Sequence, residues 1–333
     1  MTTPSSVLVV GAGIAGLAAA RKLAGEGYQV RVAERSEVIG GRLATRRLGT
    51  AVVDDGAQFF TVRHAELEEV AARWIARGVS REWCRGFRQP TDGHPRYVGS
   101  SGMADLAEDL ATELDVVTSV RIDALSAGAR GGWVARTDQG VTLDADAVLL
   151  TPPAPVTLGL LGKLASPEAL GALRAISYAP TLGVLAVLDE PPAIPPPGGL
   201  QLDGDPISWI ADNQAKGISP VPAVTVHIAP KASTQWWDLS ADEALSAVLD
   251  AARPWIGLRE PLVASLSRWT HAAPEVLHPQ RYLVAVEGDQ PVVCAGDAFG
   301  EPRVEGAYLS GLAAAGAVAD RLGRPDSRPR PRS

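Results

Sequence analysis

Three glycines near the start of the chain carry the clearest chemical pattern, because Gly11, Gly13 and Gly16 follow a G-x-G-x-x-G spacing. At this spacing the first glycine permits a tight turn, the second lets the backbone approach a pyrophosphate, and the third lets a helix pack on a strand. The N-terminus of the following helix would offer free N–H groups and partial positive charge to phosphates. Glu34 lies farther along the chain and could accept both hydroxyls of an adenosine ribose. These residues predict a dinucleotide-binding site.

Two strands and a helix are expected to position these residues. The apolar run 7–10 predicts a buried parallel strand, residues 17–27 predict a helix, and residues 29–33 predict a second strand. The competing interpretation is a glycine-rich turn that arose by chance. The full order of strand, glycines, helix, strand and acid favours a Rossmann-like unit instead. The contacts predicted in this unit are Gly11, Ala12, Gly13, Ile14, Ala15, Gly16, Glu34 and Arg35.

A second group of residues suited to phosphate follows at Gly40, Gly41 and Arg42. Paired glycines let the backbone come close to a ligand, and the arginine guanidinium forms a fork that matches phosphate. The competing interpretation is a solvated basic loop over 42–47. A strand that begins at residue 52 then runs into a turn of small residues and two aromatic residues at 59–60.

The C-terminal part carries another strong pattern, in which a strand that begins at residue 290 runs into Gly296 and Asp297. Asp297 could hydrogen-bond a hydroxyl group of a ligand. An alanine-rich helix is predicted from Arg303 to about residue 322, and the positive end of its dipole would stabilise negative charge on a ligand. The competing interpretation of Arg303 is a salt bridge to Glu301 or Glu305.

The order of these motifs resembles the FAD-dependent amine oxidase superfamily and, within it, the renalase branch with its bacterial members. GxGxxG, an acid, GGR and DxGAQ[YF]F carry the likeness to the superfamily. The likeness to the branch covers nearly the whole chain through DDGAQFFT, RYVGSSGM, WIADNQAK, residues 233–236, residues 267–269 and RVEGAYLSG. The resemblance implies an α/β fold with an α+β second domain. It would combine a Rossmann-like FAD-binding domain of the glutathione-reductase/amine-oxidase type with an inserted mixed-sheet substrate domain, and it would bind FAD non-covalently.

The resemblance and the patterns together imply three parts of the chain. They are a discontinuous FAD domain over 1–62, 98–178 and 286–323, a substrate domain over 63–97 and 179–285, and a disordered tail over 324–333. By resemblance, Val120 would present backbone N–H and C=O groups to adenine. The further cofactor contacts are expected at Gly41, Arg42, Ala57, Gln58, Phe59, Val120, Thr151, Gly296, Asp297, Arg303, Val304 and Glu305.

Three further elements are predicted from periodicity and capping residues. A strand is expected over 116–122 and a helix over 155–178. A second helix is expected over 240–255, where Ser240 would be the N-cap and Glu243 its capping-box partner.

The renalase resemblance implies an oxidase that takes a hydride onto flavin N5 from aberrant dihydronicotinamide isomers of NAD(P)H. Molecular oxygen would reoxidise the flavin and give hydrogen peroxide and NAD(P)+. Arg303 stands where amine-oxidising members have an aromatic residue, which disfavours a cationic amine. Ser267 departs from the histidine that bacterial renalases tend to have, which concerns the substrate more than the fold. The alternatives are a flavin amine oxidase or desaturase with another substrate, and a non-catalytic carrier on the same fold.

Candidate substrate contacts come from the same motifs and from the inserted domain. For Trp209 and Trp269 the competing interpretation is core packing, and for Asn213 it is the capping of a turn. His227 and His271 could be general bases, but most lone histidines are ordinary surface or core residues, so no general base is assigned. No metal ligand set is predicted. The candidate substrate contacts are Phe60, Tyr97, Val98, Gly99, Thr181, Trp209, Asn213, Trp269 and Arg303.

Composition limits the remaining classes of function. A chain of 333 residues with 46% hydrophobic and 21% charged residues predicts a globular protein of two domains. A net charge of −7 argues against nucleic acid or an anionic membrane as the main partner. The resemblance implies that the partners are a small-molecule substrate and O2. Two distant cysteines, no apparent signal peptide and no apolar span favour the cytoplasm. Without a CxxC motif or a second GxGxxG, disulfide reductases and two-dinucleotide reductases are disfavoured.

Overall fold

The computed structural model describes residues 5–87 and 92–323, and the predicted tail over 324–333 lies outside the described residues. The described chain forms two compact units. The first unit contains residues 5–41, 107–177 and 274–323, and the second contains residues 42–87, 92–106 and 178–273. The predicted FAD domain also contained residues 42–62, 98–106 and 178, which lie in the second unit, and the predicted substrate domain contained residues 274–285, which lie in the first.

Eight α-helices and one short 3-10 helix, at Gly41–Leu43, lie in the described residues. Among these helices, none is both long enough and apolar enough to cross a membrane. The α-helices are α1 (Ile14–Gly25), α2 (Ala65–Ala76), α3 (Ala104–Ala111), α4 (Ala154–Leu161), α5 (Pro167–Arg174), α6 (Pro230–Gln235), α7 (Ala241–Ile256) and α8 (Arg303–Leu322).

Eighteen strands are found in the same residues. They are β1 (Ser6–Val10), β2 (Gln29–Ala33), β3 (Thr45–Leu48), β4 (Ala51–Asp54), β5 (Ser80–Cys84), β6 (Arg96–Gly99), β7 (Asp115–Val117), β8 (Ile122–Ala127), β9 (Trp133–Thr137), β10 (Thr142–Ala145), β11 (Ala147–Leu150), β12 (Ser177–Val187), β13 (Gly199–Gln201), β14 (Ile207–Asp212), β15 (Ala223–Ile228), β16 (Val263–Val276), β17 (Leu283–Val286) and β18 (Val292–Cys294).

A six-stranded sheet in the order β17-β18-β11-β1-β2-β7 forms the centre of the first unit. Strands β1, β2, β7, β11 and β18 run parallel, and β17 is antiparallel at the edge. Strands β8 to β10 form a separate antiparallel sheet. Helix α8 packs so closely on α1 that a Cβ at Gly311 would lie only 2.1 Å from the carbonyl oxygen of Ala15. This arrangement confirms the predicted Rossmann-like α/β fold.

A five-stranded sheet in the order β13-β14-β15-β12-β16 forms the centre of the second unit. Its apolar residues pack with Ala244, Val248 and Ala252 of α7 in one core cluster. Helix α7 begins as predicted, because Ser240 and Glu243 form both hydrogen bonds of a capping box. Two hairpins, β3 with β4 and β5 with β6, complete the sheets of this unit.

Two element predictions were wrong in their bounds. The strand expected over 116–122 is interrupted, because β7 ends at Val117 and Ser119 adopts a left-handed conformation with φ 57° before β8 begins. The helix expected over 155–178 is two helices. Gly162 ends α4 with a positive φ of 52°, and Ser166 caps the start of α5 through its side chain.

Cys294 in β18 should resist thiol reagents, because burial raises the pKa of its thiol to about 12. The native protein is expected to react through the partly exposed Cys84 alone at about pH 8, and both thiols should react after unfolding. The Cys84→Ser variant is the control, and a rapidly reacting thiol in this native variant would contradict the prediction.

Because the folded state keeps a proton on Cys294 that the unfolded chain loses, the contribution of Cys294 to stability is present below pH 9 and declines between about pH 9 and 12.

Candidate functional site

The glycine turn between β1 and α1 has the conformation that its sequence predicts. Gly11 has φ 101°, and a Cβ at this position would lie 2.5 Å from the hydroxyl of Thr151. A Cβ at Gly16 would lie 2.0 Å from the carbonyl oxygen of Gly11, so only glycine lets α1 begin this close to the turn. A Cβ at Gly13 would meet no atom within 4 Å. The backbone at Gly13 therefore faces open space.

Glu34 is buried beside this turn with its carboxylate held in place. One carboxylate oxygen accepts a hydrogen bond from the Ala12 N–H at 2.8 Å, and the other accepts one from the Ser36 N–H at 2.9 Å. The Gly40 N–H donates to the carbonyl of Ala12 at 2.8 Å. The second glycine pair therefore lies against the first glycine motif, as a shared phosphate-binding site requires.

The start of α8 contributes a third part of the first unit. Gly296 has φ 146°, and its N–H donates to the Ser310 hydroxyl at 2.8 Å. Asp297 is buried beside this turn, and Glu305 is buried in the first turn of α8. Arg303 is exposed at the start of the helix and has φ 75°, a strained conformation for a residue other than glycine. Strain of this kind concentrates at functional sites.

Two predicted cofactor contacts have other partners within the first unit. The N–H of Val120, which was expected to face adenine, donates to the carbonyl of Glu34 at 2.9 Å. The Thr151 hydroxyl donates to the carbonyls of Val10 and Gly11 at 2.8 and 3.2 Å and braces the glycine turn.

The second unit contains a fully buried ion pair between Asp54 and Lys216, whose side chains are both 0% exposed and whose charged atoms lie 2.5 Å apart. The Asp54 carboxylate also accepts hydrogen bonds from the Thr45 hydroxyl at 2.6 Å and the Met103 N–H at 2.8 Å. Burial lowers the pKa of the Lys216 ammonium, and the charge of Asp54 opposes that shift. The Lys216 ammonium is thus enclosed by protein and paired with Asp54.

The neighbouring carboxylate, Asp55, forms a second polar cluster in this unit. It accepts hydrogen bonds from the Ser267 hydroxyl at 2.9 Å and the Trp269 indole N–H at 3.3 Å. His227 lies 2.9 Å from the backbone carbonyl of Asp55, and burial lowers the pKa of its imidazole. Ser267, which departs from the renalase pattern, is thus a direct partner of Asp55.

Four aromatic rings form a cluster in the second unit, defined here as Phe59, Trp83, Phe87 and Trp209. Phe87 lies 4.8 Å from Trp209 and 4.9 Å from Trp83 between ring centroids, and Phe59 lies 5.7 Å from Trp209. The guanidinium of Arg96 lies 5.9 Å from the centre of the Phe59 ring. Trp209 thus packs in this cluster, as one of its two interpretations expected.

A family model described as flavin containing amine oxidoreductase matches residues 72–319 of this chain. The chain belongs to this family. A second model, described as NAD(P)-binding Rossmann-like domain, matches residues 9–74. This flavin containing amine oxidoreductase takes FAD as its cofactor, as its sequence predicted.

Matches to individual proteins agree with this family. Residues of the chain are 36% identical over 129 positions to lysine-specific histone demethylase 1 homolog 2 of Arabidopsis thaliana, covering 36% of this chain and 16% of that protein. An L-amino-acid oxidase of Crotalus adamanteus is 43% identical over 68 positions, which cover 20% of this chain and 13% of that protein. Both matches thus cover only small parts of the relatives. Cyclohexylamine oxidase from Brevibacterium oxydans IH-35A has the same fold, with a TM-score of 0.73 at 15% identity over 96% of this chain and all of that one.

The residues of the first unit fit FAD. The open space at Gly13 leaves room for a pyrophosphate to approach the backbone, and Glu34 presents a fixed carboxylate beside the same turn. Asp297 adds a carboxylate, and the first turn of α8 adds N–H groups that have no partner within the helix. We expect Gly13 and Gly41 to border the pyrophosphate, Glu34 to bind the ribose, and Asp297 to bind the ribityl chain.

The predicted residues of the second unit fall into separate local arrangements. Arg42 donates to the carbonyls of His271 and Ala272, both at 3.2 Å. Phe60 and Tyr97 exchange backbone hydrogen bonds, and their rings lie 5.5 Å apart. The remaining predicted residues are placed as follows: Ala57 donates its N–H to the carbonyl of Arg42, Val98 and Gly99 are buried in β6, and Thr181 lies in β12.

Asn213 was predicted to bind substrate, but its side chain is fully buried. Its amide nitrogen donates to the Thr225 hydroxyl at 3.0 Å, and its side-chain oxygen lies 3.4 Å from the Asp54 N–H. Both polar atoms of the Asn213 amide group thus have protein partners. The ion pair of Asp54 with Lys216 was not predicted, although Asp54 begins the DDGAQ motif and Lys216 is the lone lysine of the WIADNQAK motif.

Proposed function

We propose that this flavin containing amine oxidoreductase oxidises dihydronicotinamide isomers of NAD(P)H. The dihydropyridine loses a hydride, which is a proton with an electron pair, and becomes the aromatic pyridinium of NAD(P)+. O2 takes up this electron pair with two protons, one from the hydride and one from solvent, and becomes H2O2. Bound FAD supplies the hydride acceptor and the route to O2.

The observation that carries this proposal is the buried ion pair between Lys216 and Asp54. An ammonium substrate must lose a proton before its carbon can release a hydride, which requires a base or a neutral amine. Lys216 is the one lysine within the candidate motifs, and its ammonium is enclosed by protein and paired. A dihydropyridine is already neutral and needs no such base.

The charge of Arg303 supports the same class of substrate. An exposed guanidinium at the start of α8 repels an ammonium and attracts anionic or carbonyl-bearing groups such as nucleotide phosphates. In this proposal Arg303 orients the nucleotide, and the N-terminus of α8 stabilises negative charge.

Replacing Arg303 with tyrosine should slow the reduction of the flavin by a dihydronicotinamide about tenfold. This is the effect expected from the loss of one hydrogen bond to a charged group. Tyrosine has the same difficulty with φ 75° as arginine, so backbone strain is nearly constant in this comparison. Stopped-flow absorbance of the flavin measures the rate. Arg130→Tyr, at another exposed arginine, is the control. An unchanged rate in Arg303→Tyr would mean that Arg303 has no contact with the substrate.

The function can be tested by anaerobic mixing. Oxidised holoenzyme is mixed with 2- or 6-dihydro-NAD(P) and, separately, with a panel of primary and secondary amines. We expect the dihydronicotinamides to bleach the flavin absorbance within seconds and the amines to leave it unchanged. Bleaching by amines alone would refute the proposal.

Amine oxidation is the second candidate. It is favoured by the family match and by the matching segment of an L-amino-acid oxidase. Under this alternative the aromatic cluster would contact an amine substrate that binds in its neutral form. The same panel distinguishes the two candidates.

A further inference from the structure

Three buried polar side-chain atoms of the second unit have no hydrogen-bond partner in the described part of the chain. They are Gln58 Oε1, Arg96 Nε and Trp209 Nε1. Arg96 and Trp209 both contact the ring of Phe59, the residue that follows Gln58. Buried polar atoms are normally paired, because an unpaired one costs about 1–3 kcal/mol. Three of them around one residue indicate a ligand.

Gln58 has only one possible orientation of its amide group. Its nitrogen donates to the carbonyl of Asp54 at 2.7 Å and to that of Gly56 at 3.1 Å. A flipped amide would place its oxygen against two carbonyl oxygens, so Oε1 is the free atom and can only accept. Gln58 is 6% exposed. It therefore presents a fixed, desolvated acceptor.

The buried ion pair holds this acceptor in place. The carbonyl of Asp54 that binds Gln58 also accepts the Thr225 hydroxyl at 2.8 Å, and the Asp54 side chain is fixed by Lys216. Asp54 is therefore held by three side chains, those of Gln58 and Thr225 at its backbone carbonyl and that of Lys216 at its carboxylate. Lys216 acts on Gln58 through Asp54 as a positioning residue.

Trp209 and Trp83 differ in their indole groups although both belong to the aromatic cluster. The Trp83 N–H donates to the carbonyl of Pro197 at 2.9 Å. The Trp209 N–H has no acceptor in the described chain, although the residue is only 7% exposed. Trp209 thus offers a ligand an N–H donor that is unpaired within the described part of the chain.

The charge balance of this region favours a neutral ligand. Both terminal nitrogens of Arg96 bind the Asp92 carboxylate, at 3.0 and 2.5 Å, which offsets its charge. The free Gln58 oxygen would repel a carboxylate. One acceptor and two donors match a primary carboxamide, which has both N–H and C=O groups.

We propose that Gln58 and Trp209 recognise the carboxamide of the substrate. Gln58 Oε1 accepts a hydrogen bond from the amide N–H, and Trp209 Nε1 donates to the amide carbonyl, with Arg96 Nε as a further donor. The assignment of this carboxamide to a dihydronicotinamide depends on the proposed function. The recognition of an aromatic amide does not.

The test compares two neutral ligands that differ in the N–H group. Holoenzyme is titrated with nicotinamide and with 3-acetylpyridine, which keeps the carbonyl and lacks the N–H, and binding is followed by equilibrium dialysis. Wild-type protein should prefer nicotinamide by about fivefold, the value of one neutral hydrogen bond. Gln58→Met should abolish this preference. Trp209→Phe should weaken both ligands about fivefold and leave the preference unchanged.

Trp83→Phe is the matched control within the same cluster. It should lower the urea midpoint, since Pro197 loses its donor, without altering the preference for nicotinamide. Trp209→Phe should lower the midpoint less than Trp83→Phe does, because both variants lose the same ring volume but the Trp209 N–H has no partner to lose in the described chain. Absence of a preference in wild type, or its persistence in Gln58→Met, would overturn the proposal. Loss of FAD affinity in Gln58→Met with an unchanged preference would also overturn it, since the acceptor would then serve the cofactor. No turnover is needed, so failure here is distinguishable from failure of the proposed function.

Discussion

Gly13→Ala should lower the affinity for FAD about a hundredfold without destabilising the protein. A Cβ at Gly13 meets no protein atom within 4 Å, and the φ of this residue is −78°, which alanine adopts readily. The added methyl would occupy the space through which the pyrophosphate approaches the backbone. Losing two charge-assisted hydrogen bonds to phosphate costs about 3 kcal/mol, or about a hundredfold in affinity.

The affinity can be measured by titrating apoprotein with FAD, and stability by the urea midpoint of the apoprotein. Gly25→Ala is the control, because a Cβ there also meets no atom within 4 Å, at the other end of α1. Gly16→Ala should behave differently and destabilise the apoprotein, since its Cβ would lie 2.0 Å from the Gly11 carbonyl oxygen. Wild-type FAD affinity in Gly13→Ala would place the pyrophosphate elsewhere.

Lys216→Met should destabilise the second unit by about 3–5 kcal/mol, because it leaves the Asp54 carboxylate buried without a counter-charge. The double variant Asp54→Asn with Lys216→Met should recover most of this loss. The introduced amide would keep an oxygen for the Thr45 hydroxyl and the Met103 N–H, and no charge would remain unpaired. The stability that the double variant recovers therefore measures the free-energy cost of leaving the Asp54 charge unpaired.

Tryptophan fluorescence during urea unfolding is suited to this measurement. Trp133 lies in the first unit, and the other seven of the eight tryptophans lie in the second. Lys231→Met is the control, since Lys231 is 77% exposed and its ion pair should contribute little. A double variant as unstable as Lys216→Met would show that the lysine stabilises by packing.

The sequence predicted the elements whose signals are local. The glycine spacing identified the βαβ unit, and the Ser240 and Glu243 capping box identified the start of α7. Helix α8 begins at Arg303, as predicted. These signals succeed because the physical cause lies within a few residues of the feature.

Features that depend on distant partners could not be predicted in this way. Asp54 and Lys216 are 162 positions apart, so their pairing appears only after the second unit has folded. By family resemblance, Val120 was expected to present its N–H to adenine, but after the left-handed turn at Ser119 this N–H donates to the carbonyl of Glu34. Serine carries no strong signal for such a turn, because glycine or asparagine is the usual residue there.

Oxidation of 6-dihydro-NAD in air, with O2, H2O2 and NAD+ measured together, tests the proposed function most directly. We expect each substrate molecule to consume one O2 and to yield one H2O2 and one NAD+, because the two electrons of the dihydropyridine pass to one oxygen molecule. The yield of NAD+ is decisive, since amine oxidation cannot produce it. Consumption of O2 with an amine, and none with 2- or 6-dihydro-NAD(P), would contradict the account.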